Sequence, residues 1–132
     1  MKYHEFIGEV LQHGGMASRR DAVKAVQATL QTLAEGLRAQ EVQRLSSRLP
    51  PQISFYLPQR VVPDRFGLSE FFFRVSSREQ VDISLATRHA LAVLLVLEET
   101  VGAEEIEELR EQLPPEFGRL FEGARHKELR AV

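Results

Sequence analysis

The sequence predicts an all-α protein of about eight helices, arranged as two tandem, pseudo-repeated four-helix units that close into one compact domain. Three observations lead there. The most apolar stretch, Ala90-Leu91-Ala92-Val93-Leu94-Leu95-Val96-Leu97, fits the interior of a long helix from Asp82 or Ser84 to about Val101, apolar nearly all round and therefore buried on most sides. A buried strand has the same local pattern, but Ala86, Ala90 and Ala92 favour helix, and the run is far shorter than the roughly 20 apolar residues of a membrane span. Elsewhere, apolar residues return at alternating three and four spacing, the period of one helix face. Finally, sliding the chain by 64 positions lays Ala22 on Ala86, Ala28 on Ala92, Leu30 on Leu94, Leu33 on Leu97, Leu45 on Leu109, and Leu49-Pro50-Pro51 on Leu113-Pro114-Pro115. A one-residue gap adds Glu5-Phe6 and Val10 against Glu70-Phe71 and Val75.

Each element follows from its own chemistry. Tyr3, Phe6, Ile7, Val10 and Leu11 put one face of a first helix inward, and Gly14-Gly15 ends it. Ser18 followed by Asp21 resembles a capping box that opens a second helix carrying Val23, Val26, Leu30, Leu33 and Leu37, with a frayed end at Gly36 or Arg38. Val42, Leu45 and Leu49 stripe a third, which stops because the residue before Pro50 is pushed out of helical backbone. Pro51 suits the first turn of a short fourth helix burying Ile53, Tyr56 and Leu57.

Pro58, Pro63 and Gly67 leave the following stretch without a period, so units of about 1–57 and 66–122 are expected, joined by a connector at 58–65. Ser69 is expected to cap the fifth helix, with Phe71, Phe72 and Val75 inward, and Asp82 the central one. Ala103 to Gln112 carries Ile106, Leu109 and Leu113; Phe117, Leu120 and Phe121 close the second unit. The charged residues 123–132 are expected to form a loose tail.

These paired units resemble the bacterial family known as domain of unknown function 2267. The resemblance runs from Tyr3 to Gly123 and is stronger in the second half, through Val81-Asp82, Arg88-His89-Ala90, Leu109 to Pro114 and Leu120-Phe121. Where that family often has Asp at the start of the long helix, the first repeat has Ala17-Ser18, which passes capping to Ser18. The resemblance implies an all-helical domain and brings no activity, ligand or catalytic residue with it.

The 132 residues are 43% hydrophobic and 27% charged, the composition of a globular domain able to bury its own core. The absence of cysteine excludes disulfides and thiolate metal sites and suits a reducing compartment. The opening Met1-Lys2-Tyr3-His4-Glu5-Phe6 lacks an apolar signal core. A cytoplasmic protein, not membrane-bound, is expected. The net charge of −2 hides an asymmetry: residues 1–66 hold nine Lys/Arg against six Asp/Glu (+3), and residues 67–132 eight against thirteen (−5). A dipolar molecule is expected, with no global attraction for nucleic acid.

The search for chemistry yields little. His4, His13, His89 and His126 form no metal motif, and His89, beside the buried run, reads as a core or rim histidine. A catalytic His89 would require an orienting carboxylate and a pocket, and the sequence shows neither; the reading with a cavity between the repeats calls for an unbroken apolar pocket holding His89 with a carboxylate in hydrogen-bond reach. The acids Glu98, Glu99, Glu104, Glu105, Glu107, Glu108 and Glu111 are expected on a solvated face, outside the Ile106, Leu109, Leu113 stripe. Arg19, Arg20, Lys24, Arg44 and Arg48 compose a candidate basic face, without a groove-reading element to accompany it. Nucleophile elbows and phosphate-binding glycine loops are absent. No catalytic, cofactor-binding or metal-binding residue is therefore assigned, and no cofactor is expected.

The disagreements between the repeats are more telling. Gln27 and Gln31 face Leu91 and Leu95, Phe55 faces Arg119, and Gly8 faces Phe73. Phe55, Phe73, Leu91 and Leu95 are accordingly the candidate interaction or seam surface. Leu91 and Leu95 are expected to be covered within the chain, by the connector with Val61 and Val62 or by Phe73, rather than by a second copy. The functional expectation is a non-enzymatic protein-interaction or scaffold domain, with an unknown protein partner, as a monomer or weak homodimer. The alternatives are a small-molecule-binding protein or enzyme using a cavity between the repeats with His89 at its edge, and a nucleic-acid-associated protein.

Overall fold

The computed structural model describes residues 1–58 and 63–126, and among them the chain is all helix, with no strand. The elements are α1 (Tyr3–Gly14), α2 (Arg19–Glu35), α3 (Ala39–Arg48), α4 (Pro51–Ser54), α5 (Leu68–Glu79), α6 (Ile83–Val101), α7 (Ala103–Gln112) and α8 (Phe117–His126). The helices of the two halves are close in length through the first three: 12, 17 and 10 residues in α1 to α3, 12, 19 and 10 in α5 to α7.

Local chemistry accounts for the boundaries. Gly15 takes the left-handed conformation (φ 59°) that closes α1. The Ser18 hydroxyl accepts from the Asp21 amide at 3.1 Å, and the Asp82 carboxylate from the Leu85 amide at 2.8 Å. Ser69 does not cap α5: that helix begins one residue earlier, and its Leu68 amide donates to Glu116 Oε1 at 3.0 Å, a cap supplied from the turn before α8. Gln80, directly after Glu79, is a non-glycine residue with positive φ (63°).

Helices α1, α2, α5 and α6 form a closed ring, in which α1 packs on α2, α2 on α5, α5 on α6 and α6 on α1. Two of those four contacts join the first half to the second. α7 and α8 lie against α6, and α4 sits against α3 and α1. The long run on α6 is the hub: Ala90, Val93, Leu94, Val96 and Leu97 are all buried. Each such side chain contributes roughly 1.5–3 kcal/mol relative to exposure. Phe71 stands edge-on to Phe117 with centroids 5.7 Å apart, tying α5 to α8.

Leu91 is buried within the chain and Leu95 half-buried. Val61 and Val62, expected to help cover them, lie outside the described residues. Phe73 does not close over as a buried cover, being 57% exposed. α8 runs through Gly123 to His126 with Ala124 buried, so the start of the expected tail is helical; 127–132 lie outside the described residues. Among the described residues no single helix is long and apolar enough to cross a membrane.

Ion pairs cross between the halves in both directions. Glu35 of α2 receives Arg78 at 2.6 Å and Arg74 at 3.0 Å, and Arg78 and then Arg74 hold its carboxyl below the usual range. Arg44 and Arg48 of α3 reach Glu108 and Glu105 of α7. The basic face expected in the first half is thus not one surface: two of its five members are engaged with acids of the second half.

Candidate functional site

Where the α1–α2 turn faces the start of α6, a cleft of about 220 Å³ opens between the halves. Gly15, Met16 and Ala17 of the turn, Asp21 and Lys24 of α2, and Glu79, Val81, Leu85, Arg88 and His89 of the second half line it. His89 is 5% exposed and Glu79 2% exposed, and His89 Nδ1 is hydrogen-bonded to Glu79 Oε2. Helix geometry brings them together: Glu79 is the last residue of α5, and the left-handed turn at Gln80 lets α6 fold back so that His89, on its second turn, meets it. A carboxylate on one ring nitrogen fixes ring orientation and leaves the other for a partner. The second Glu79 oxygen, Oε1, has no hydrogen-bond partner among the described residues. The orienting carboxylate and a pocket are both present, but the pocket is not unbroken apolar surface, since its lining mixes apolar with charged groups. Among the described residues, none that lines the cleft carries a hydroxyl or thiol; its polar side chains are Asp21, Lys24, Glu79, Arg88 and His89.

A second buried polar cluster lies between α3 and α7. Glu41 is 4% exposed and Glu105 3% exposed. Together with half-exposed Glu108 they offer carboxylate oxygens that all lie within 4.8 Å of one another. Gln112 Nε2 donates to Glu41 Oε1 at 2.6 Å, Arg48 Nε stands 3.5 Å from Glu105 Oε1, and Arg44 pairs with Glu108. Burial first, and then the neighbouring Glu105 carboxyl, push Glu41 up to about 7. Glu105 therefore does not belong to the solvated acidic face, because it shares the inner side of α7 with Ile106 and Leu109. Glu98 also leaves that face, taking Arg125 of α8 at 3.0 Å. Glu104, Glu107, Glu108 and Glu111 are exposed as expected.

The candidate surface residues do not form one patch. Leu91 is in the core, whereas Phe55, at the end of α4, is 88% exposed and stands between two shallow grooves, one lined by Tyr3, Pro51, Gln52 and Tyr56 and the other running along α3. Tyr56 bonds Tyr3 through their hydroxyls at 3.1 Å; burial, then that bond, push Tyr56 up to about 12.

Glu79 and Glu41 were not singled out by the sequence. A readable signal existed for the second: at the offset of 64, Glu41-Val42 lies on Glu105-Ile106, an acid kept next to an inward apolar residue in both halves. For the first, the aligned positions are Gly14 with the gap and Ala25 for His89, so the pair occurs in one half alone.

Fold and site together define a small all-α protein with a closed four-helix ring and buried acid contacts between its halves. Its family can be named: the model for the family described as "Uncharacterized conserved protein (DUF2267)" matches residues 3–120, and the chain belongs to that family. No curated protein matches it.

Proposed function

We propose that this chain is a small-molecule-binding protein whose site is the cleft between the halves, with His89 as the ligand-contacting group and Glu79 as the residue that orients it. The observation that carries this reading is the nine-tenths buried His89–Glu79 contact at the cleft between the two helical turns. At about 220 Å³ the cleft is below the 300–1,000 Å³ usual for drug-sized ligands, which points to a small metabolite. Lys24 and Arg88 beside Asp21 suit a ligand bearing both anionic and cationic or donor groups, such as an amino acid or another small zwitterion.

The test is a titration of ¹⁵N-labelled protein with a panel of amino acids and small dicarboxylates, followed by amide shifts. Saturable changes at Gly15, Ala17, Leu85 and His89, lost in Lys24→Ala and weakened in His89→Gln, are expected. Millimolar additions that leave those amides unmoved would remove the proposal.

A second reading, a protein-interaction domain, is favoured by Phe55 alone. An aromatic so exposed, seated on a proline-started turn, is the kind of rigid anchor that dominates interfaces. A defined partner retained by the wild type and lost from Phe55→Ser would support it; equal retention by both would count against it.

A further inference from the structure

Glu41 and Glu105 approach each other from α3 and α7, one from each half of the chain. In each, the Oε2 atom is buried and has no hydrogen-bond donor among the described residues. Two buried acceptors without donors, on carboxyls that bring oxygens within 4.8 Å of one another, are costly, since a buried polar group without a partner forfeits its hydration. What faces them narrows the remedy. From α3 come Arg44 and Arg48, and from α7 come Glu108 and the neutral Gln112, whose own Oε1 takes the Arg38 amide at 3.1 Å. Three carboxylates against two guanidiniums leave one negative charge in excess. One proton balances the cluster and also supplies the missing donor. A divalent ion would instead leave it positive beside two arginines.

We propose that Glu41 and Glu105 share one proton, forming a carboxyl–carboxylate hydrogen bond that clamps α3 to α7 and makes the contact between the two halves responsive to pH. No bond other than O–H is made or broken: the proton exchanges with solvent. The upward displacement of Glu41, to about 7, agrees with this geometry. The sign follows from linkage. An acid raised in the fold binds more protons folded than unfolded between the model value of 4.5 and about 7, so stability is full below the lower figure, declines as pH rises across that window, and levels off above it.

Infrared difference spectroscopy in solution tests this directly. At about pH 6 the wild type should show the C=O stretch of a protonated carboxylic acid, fading as pH rises past about 7. The band should be absent from Glu41→Gln and from Glu105→Gln, either of which installs a permanent amide donor, and retained in Glu108→Gln. In thermal melts the wild type should lose several degrees between about pH 5 and pH 8, and the two amide variants distinctly less. A wild type without that band at about pH 6 overturns the proposal, whatever the variants do. So does millimolar Mg²⁺ or Mn²⁺ that stabilises the wild type at the same pH but not Glu41→Gln, since the oxygens would then be ligands to a cation.

Discussion

The two buried acid sites solve one problem by different means. Glu79 and Glu41 each sit in the interior with one oxygen unpartnered. Glu79 has a base beside it, His89 on the next helix, and borders a cleft. Glu41 has another acid beside it, on the far side of the seam, with guanidiniums outside. A carboxyl next to an imidazole already has a ring nitrogen to bond, whereas a carboxyl next to another carboxyl needs a proton between them to make a bond. The difference lies in the neighbour, not in the residue.

The sharpest break in this comparison is His89→Leu. It removes the hydrogen-bond partner of a buried carboxyl and should cost on the order of 3–5 kcal/mol in urea unfolding, while the double change Glu79→Leu, His89→Leu should recover most of the loss. If the double variant is no better than the single, the pair is not a self-contained unit. Next in size is the response of the Glu41 site to pH. A displacement from 4.5 to about 7 corresponds to stability on the order of 3 kcal/mol lost across that window, which urea midpoints at closely spaced pH values would show as a slope absent from Glu41→Gln.

Smaller effects separate the buried atoms from their surroundings. Arg48 is half-exposed, so Arg48→Ala should change stability by no more than about 1 kcal/mol. A loss well above that figure would show that Arg48 is needed to hold Glu105 inside the fold. The least effect is expected at Phe55: Phe55→Ser should stay within about 0.5 kcal/mol by calorimetry, because the ring is already in water. A larger loss would mean that the ring is covered in solution.

The helices were legible in the sequence because their signals are local. Ser18 and Asp82 cap as their side chains permit, Leu-Pro-Pro stops α3 and α7 through proline sterics, and the Ala90 to Leu97 run is buried because no face of it is polar. The cap on α5 was not legible, since its acceptor, Glu116, is 48 residues away. The same distance in sequence hid the sites. Glu105 looks like its neighbours Glu104 and Glu107 in a run of acids, and only the orientation of α7 toward α3 turns it inward. His89 could be placed beside the core, but its partner Glu79 ends a different helix. The division into tandem units did not foresee that α1 and α2 pack so extensively on α6 and α5.

That cross-packing has a consequence for synthesis on the ribosome. The chain emerges from its first residue onward, so α1 and α2 are made long before the helices that close the ring around them. Until α5 and α6 are out, Phe6, Ile7, Val10, Leu30 and Leu33 have only the helices of the first half to lie against, and the faces that α1 and α2 turn toward α6 and α5 are uncovered. The folding unit is the whole ring, and α6 is the piece that the earlier helices must wait for.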